Sequence, residues 1–139
     1  MYIQKIKIEN IKSIDNLEID FGNSHSGWHV ILGENGSGKS TLLKSIAIAL
    51  ISEGQIGGIL PVWKDWLRNG EKNGKIELII DNSSYKNLKV DVILQRKDKD
   101  VFYSSNHLSG ATDFFTVGYG PFRRFTSEDN IRARVSESF

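Results

Sequence analysis

Cysteine is absent from the 139 residues, which rules out a disulfide framework and any thiolate metal site. Histidine is scarce: His25, His29 and His107 lack the spacing of a zinc-ligand set and read as plain surface or core residues. An excess of one charge sign is missing too, since 18 Lys and Arg face 17 Asp and Glu, for a formal net charge of +1. Such a chain has no long-range field to hold it on nucleic acid or on an anionic membrane, so any nucleic-acid contact has to be local. Long apolar runs are also absent. The longest, "IAIALI" at 46–51, falls far short of the roughly 18 residues a membrane span needs. The opening "MYIQKIKIEN" alternates apolar and polar residues where a signal peptide would be continuously apolar. A cytoplasmic location with no membrane partner is the expectation, and no internal repeat is visible.

What remains is the make-up of a soluble globular protein of one domain or one lobe, with 39% apolar and 25% charged residues. Ile3, Ile6 and Ile8, then Leu17, Ile19 and Phe21, alternate as two strands joined by "ENIKSIDN". "WHVIL" at 28–32 reads as a compact apolar strand running into a glycine-rich segment. From Lys39 to about Ser52 the chain is apolar on nearly every face after its first turn, which predicts a helix buried on most sides and stopped at Gly54. The stretch 54–74 reads as an irregular connection with a short helix around Trp63, Trp66 and Leu67. "KIELII" at 75–80 and "LKVDVILQ" at 88–95 are strand-like, with "DNSSYKN" as their hairpin loop. "RKDKD" turns the chain again into "VFYSS", its mixed charges marking a solvated tip. Near the end, Thr126 or Ser127 caps a predicted helix whose apolar stripe, Ile131, Val135 and Phe139, still runs at the last residue. That helix reads as cut and not terminated.

The chemistry sits in "GENGSGKS", Gly33 to Ser40, a full match to G-x-x-x-x-G-K-[ST] placed between a predicted strand and a predicted helix. The eight-residue pattern arises by chance at roughly a few per hundred thousand positions, so a mere glycine turn is a poor account of it. Gly36 and Gly38 let successive backbone N–H groups converge on one anion, and the start of the following helix adds partial positive charge. Glu34, Asn35 and Ser37 complete the loop. Lys39 would reach the β and γ phosphates of a triphosphate, the Ser40 hydroxyl would bind the Mg²⁺ that bridges them, and Thr41 is placed for the α phosphate. ATP and Mg²⁺ are the expected cofactors.

Two other segments imitate parts of such a site. "LIID" at 78–81 has the shape of a strand ending in a metal-organising aspartate, but Asn82 follows where a catalytic Glu belongs and the chain continues as a hairpin turn. "LSGA" at 108–111 resembles the L-S-G-G signature of ABC-type ATPases without the Asp-Glu strand that should follow it. Both read as ordinary loops, and no catalytic residue is assigned.

"IQKIKIENIKSIDNLEIDF" followed by "WHVILGENGSGKSTLLKSIAIAL" resembles the N-terminal lobe of the ABC-class ATPases of the SMC and RecF kind. "FFTVGYGPFRRF" is similar to a segment in the AAA-labelled ATPases of bacterial defence systems, the Septu and retron-linked group. The resemblance implies an α/β fold: a P-loop NTPase lobe with a mixed sheet, an antiparallel β subdomain and a buried helix after the P-loop. It implies that Lys12 and Ser13, in the turn after the first strand, contact phosphate or ribose. The position where that family has a Q-loop glutamine is taken here by Tyr119, Gly120 and Pro121. The signature, Walker B strand and switch histidine of the family come from the second half of a longer chain, so residues 1–139 are expected to be a first lobe cut before them. The resemblance further implies heads that dimerise on nucleotide, DNA as a partner, and a nuclease or other defence effector. A lobe of this kind is expected to bind ATP without turning it over. The alternatives are a non-hydrolysing nucleotide-binding module with a regulatory role, and a complete small P-loop enzyme using Asp81.

Overall fold

The computed structural model of the chain describes residues 2–22, 26–51, 62–81 and 86–106. Strands β1 (Tyr2–Ile11) and β2 (Ile14–Asp20) are followed by helix α1 (Lys39–Leu50) and a one-turn helix α2 (Trp63–Trp66). Strands β3 (Asn73–Asp81), β4 (Leu88–Lys97) and β5 (Asp100–Asn106) come after them. They form one sheet in the order β2-β1-β3-β4-β5, with every neighbour antiparallel. The helical connection carries the chain from β2 past β1, so that β3 pairs on the far side of β1.

Alternation sets the sheet's two faces. In β3, Ile76, Leu78 and Ile80 are buried while Lys75, Glu77 and Ile79 between them are half-buried on the other side. The registers Ile8↔Ile76, Ile6↔Leu78, Ile76↔Val92 and Leu78↔Val90 place the buried residues of three strands on one face. Leu42, Ile48 and Ala49 of α1 join that core, where a fully buried Leu or Ile side chain contributes about 1.5–3 kcal/mol. Trp63, Trp66 and Leu67 seal its end, Trp63 lying 4.7 Å ring to ring from Tyr103.

Several elements depart from the sequence reading. The first two strands are longer than expected and joined by Lys12 and Ser13 alone. Among the described residues the sheet is wholly antiparallel, so the parallel part of the expected mixed sheet is not among them. Helix α1 buries Leu42, Ser45, Ile48 and Ala49 but leaves Leu43 57% exposed, so one face is covered where burial on most sides was expected. "WHVIL" forms no ladder: Trp28 is 99% and Leu32 87% exposed. An all-apolar strand needs a neighbour on each edge and cover on both faces, and the described residues supply neither. The Gly54 stop, the "LSGA" and "FFTVGYGPFRRF" segments and the helix from Thr126 lie outside the described residues. No helix among the described residues is long and apolar enough to cross a membrane.

The outer face carries paired charges, Lys5 with Glu18 at 2.6 Å and Lys7 with Glu9 at 2.8 Å. Glu77 is the most enclosed of them. A hydrogen bond from Lys75 and a second from Lys89 hold its carboxyl below the ordinary value of 4.5, against the opposing effect of partial burial. The unfolded chain therefore binds this proton more readily. The stabilisation from Glu77 is fully present above pH 4.5 and drains away as pH falls through its depressed folded value. In urea denaturation as a function of pH, Glu77→Gln should flatten the loss of stability on that acid side; an unchanged acid limb would show that the trio contributes nothing.

Candidate phosphate-binding site

The loop 33–38 uses the freedom of its glycines. Its φ angles are 84° at Gly36 and 94° at Gly38, a region that costs an ordinary residue about 1–2 kcal/mol. Gly38 is the residue before α1, and Leu42 N–H donates to its carbonyl at 2.8 Å. No side chain caps this helix start and no acidic residue lies in its first turn. The leading N–H groups of a twelve-residue helix are thus left without a side-chain acceptor, the condition under which a helix start binds an anion.

The loop is also tight. A Cβ at Gly33 would stand 2.7 Å from Ser37 Oγ, and one at Gly38 would stand 3.2 Å from Ile14 Cγ1 and 3.3 Å from Ser13 Oγ. Lys39 folds back across it, its ammonium donating to the carbonyls of Gly33 at 2.8 Å and Glu34 at 2.7 Å. Ser37 N–H donates to the Glu34 carbonyl at 3.2 Å. Glu34, Asn35, Ser37 and Ser40 are exposed, and Thr41 is half-buried beside them. The donor set of bare amides, one ammonium and a free-standing serine hydroxyl fits a polyphosphate with its metal. Among the described residues no cluster of three His, Asp or Glu side chains offers a separate metal centre.

Ser13 is brought to this loop and Lys12 is drawn aside. The Ser13 hydroxyl abuts Gly38, whereas the Lys12 ammonium lies 4.6 Å above the Trp66 ring. Both Asn10 and Lys12 have positive φ, 53° and 49°, and their neighbours hold them there. Lys12 N–H donates to the Trp66 carbonyl at 2.8 Å and Arg68 N–H to the Asn10 carbonyl at 3.0 Å. The Arg68 guanidinium donates to the Ser13 carbonyl at 3.1 Å. Gly74 leaves room for the turn, since a Cβ there would come within 2.9 Å of the Asn10 carbonyl. Sequence reasoning missed Trp66, Arg68 and Gly74 in this role; their only local signal was the tryptophan-rich helix. Lys44 of α1 has its pKa lowered, by burial first and then by the charge of Lys12, so positive charge gathers on this side of the loop.

Asp81 is occupied elsewhere. One of its oxygens accepts from the Gln4 amide and the other from Asn87 N–H at 2.6 Å, which closes the β3–β4 hairpin.

A family model described as an AAA domain matches residues 5–139. The Septu protein PtuA of Bacillus mycoides (strain KBAB4) is 40% identical over 81 residues, covering 55% of this chain and 11% of that protein. Among solved structures, the recombination mediator protein RecF in its RecF-ATP structure aligns with a TM-score of 0.54 at 17% identity, over 76% of this chain and 26% of that one. A structure from work on ATP-driven dimerization and DNA-stimulated activation of SMC ATPases aligns with a TM-score of 0.52 at 20% identity, over 99% of this chain and 76% of that one. The chain thus spans about a tenth of the length of the Septu protein.

Gly38→Ala forces both an unfavourable φ and a close contact, while a methyl group at Gly22, where φ is 50°, would meet nothing within 4 Å. Gly38→Ala should lower urea-unfolding stability by about 1–3 kcal/mol and by more than Gly22→Ala; equal losses would show that the packing of Gly38 on the β1–β2 turn has no energetic weight.

Proposed function

The chain belongs to the AAA-domain family, among ATPases of the SMC and RecF kind, and on that premise we propose that residues 33–41 bind the phosphates of ATP. The observation that carries this reading is the uncapped start of α1 behind a glycine loop whose lysine is held only by backbone carbonyls. On binding, the Lys39 ammonium exchanges the Gly33 and Glu34 carbonyls for phosphate oxygens, a gain because anionic acceptors replace neutral ones. The amides of Gly36 and of residues 38–41 supply the remaining donors, and Ser13 packs the loop's flank. Ser40 would be the protein's ligand to Mg²⁺, which would supply positive charge against the phosphates.

Residues 1–139 are, in this reading, the first lobe of an ATPase head. The complete head works as a nucleotide-driven dimer acting on DNA, in repair or in defence against phage with a nuclease or similar effector. Support comes from the Septu relative and from the ATP-driven dimerization and DNA stimulation described for the SMC neighbour.

Lys39→Ala should weaken binding of a fluorescent ATP analogue by about 2–5 kcal/mol, roughly 30-fold to several-thousand-fold. Equal affinities for the two proteins, measured by titration in the presence of Mg²⁺, would overturn the assignment.

A further inference from the structure

At Lys12 of the β1–β2 turn, and lined by none of residues 33–41, the surface folds into a concavity of about 340 Å³. Its walls carry Lys12 from the turn, Lys64 and Asp65 from α2, Arg68 and Asn69 from the segment after it, and Arg96 from β4. Four cationic side chains converge there against one carboxylate, in a chain whose whole net charge is only +1. This is the local concentration of positive charge that the overall composition does not provide.

The cations are held in place yet left largely unanswered. Lys12 is fixed over Trp66, one N–H of Arg68 is spent on the Ser13 carbonyl, and Arg96 Nε is spent on the Glu71 carbonyl at 3.0 Å. Each guanidinium has five N–H donors, so most of this donor capacity meets no partner among the described residues. Gathering like charges is unfavourable unless an anion neutralises them. A carboxylate offers two oxygens in one plane, whereas cations arriving from separate stretches of chain suit a tetrahedral anion, and arginine forks suit phosphate above all.

We propose that this concavity is a second phosphate-binding site, separate from the glycine loop, and that it takes the phosphate groups of a nucleic-acid backbone or of a free polyphosphate. The double variant Lys64→Ala/Arg96→Gln removes two of its cations without touching residues 33–41. Binding of a labelled single-stranded oligonucleotide of mixed sequence, and of inorganic tripolyphosphate, is measured across a salt series with the 139-residue chain. The expected result is at least a roughly tenfold loss of oligonucleotide affinity and a salt slope shallower by about 1.4, two phosphate contacts at about 0.7 each. Arg96→Lys in place of Arg96→Gln should restore most of the slope, which a merely structural role would not.

Loss confined to tripolyphosphate supports the site and assigns it to a free polyphosphate. Equal binding of both probes by wild type and double variant, or binding of neither by the wild type, overturns it. Oligonucleotide binding abolished by Lys39→Ala also overturns it, because the glycine loop would then be the holder. If Lys39→Ala leaves ATP affinity unchanged while the double variant still loses its probe, the nucleotide reading fails and this site stands.

Discussion

Gly38 stands where three parts of the molecule meet. It is the last residue before α1, its left-handed backbone aims the loop across the helix start, and its missing side chain lets Ser13 and Ile14 of the β1–β2 turn close against it. Because α1 is seated on the sheet through Leu42, Ile48 and Ala49, the sheet's core fixes where the uncapped amides point. The turn is fixed in its own right by Trp66 and Arg68. The loop is thereby shaped from outside by packing.

The same packing explains why Lys39 lies as it does. Its ammonium needs acceptors, and the nearest are the carbonyls of Gly33 and Glu34. Those bonds tie the loop to its own lysine, and the proposed binding of phosphate would exchange these acceptors. The apolar stretch before the loop has no comparable satisfaction. Trp28, Val30 and Leu32 stand exposed, and among the described residues His29 has a ring partner in Phe21 at 4.4 Å.

Legibility in the sequence followed the range of the interaction. Period-two alternation marked β1 and β2, and "KIELII" and "LKVDVILQ" read as strand-like, because alternate residues of β1, β3 and β4 are buried and local residues report it; "VFYSS", which forms β5 and buries none of its residues, carried no such signal. The glycine loop and the start of α1 were legible because phosphate-cradle chemistry is written in eight consecutive residues. "WHVIL" was read as a strand because its residues suit one, but a strand is a relation between segments and none of the described segments pairs with it. The anchoring of Lys12 and Ser13 was invisible because its partners lie more than fifty residues on, as in the Arg68 bond to Ser13. Nor did any local pattern announce that Lys64, Arg68 and Arg96 would meet around Lys12; they lie in separate stretches of chain that the fold brings together. Asp81 was legible as a hairpin residue because Asp, Asn and Ser cluster after it, and its two accepted hydrogen bonds give that composition its physical content.

The central claim is that preformed amides between Gly36 and Thr41 receive a polyphosphate. Amide proton and nitrogen resonances followed during titration with magnesium ATP, and in parallel with adenosine, test it directly. The account predicts that Gly36, Gly38, Lys39 and Ser40 shift with ATP and stay still with adenosine. Resonances of the loop that remain unmoved at saturating ATP, or that move equally with adenosine, would contradict it.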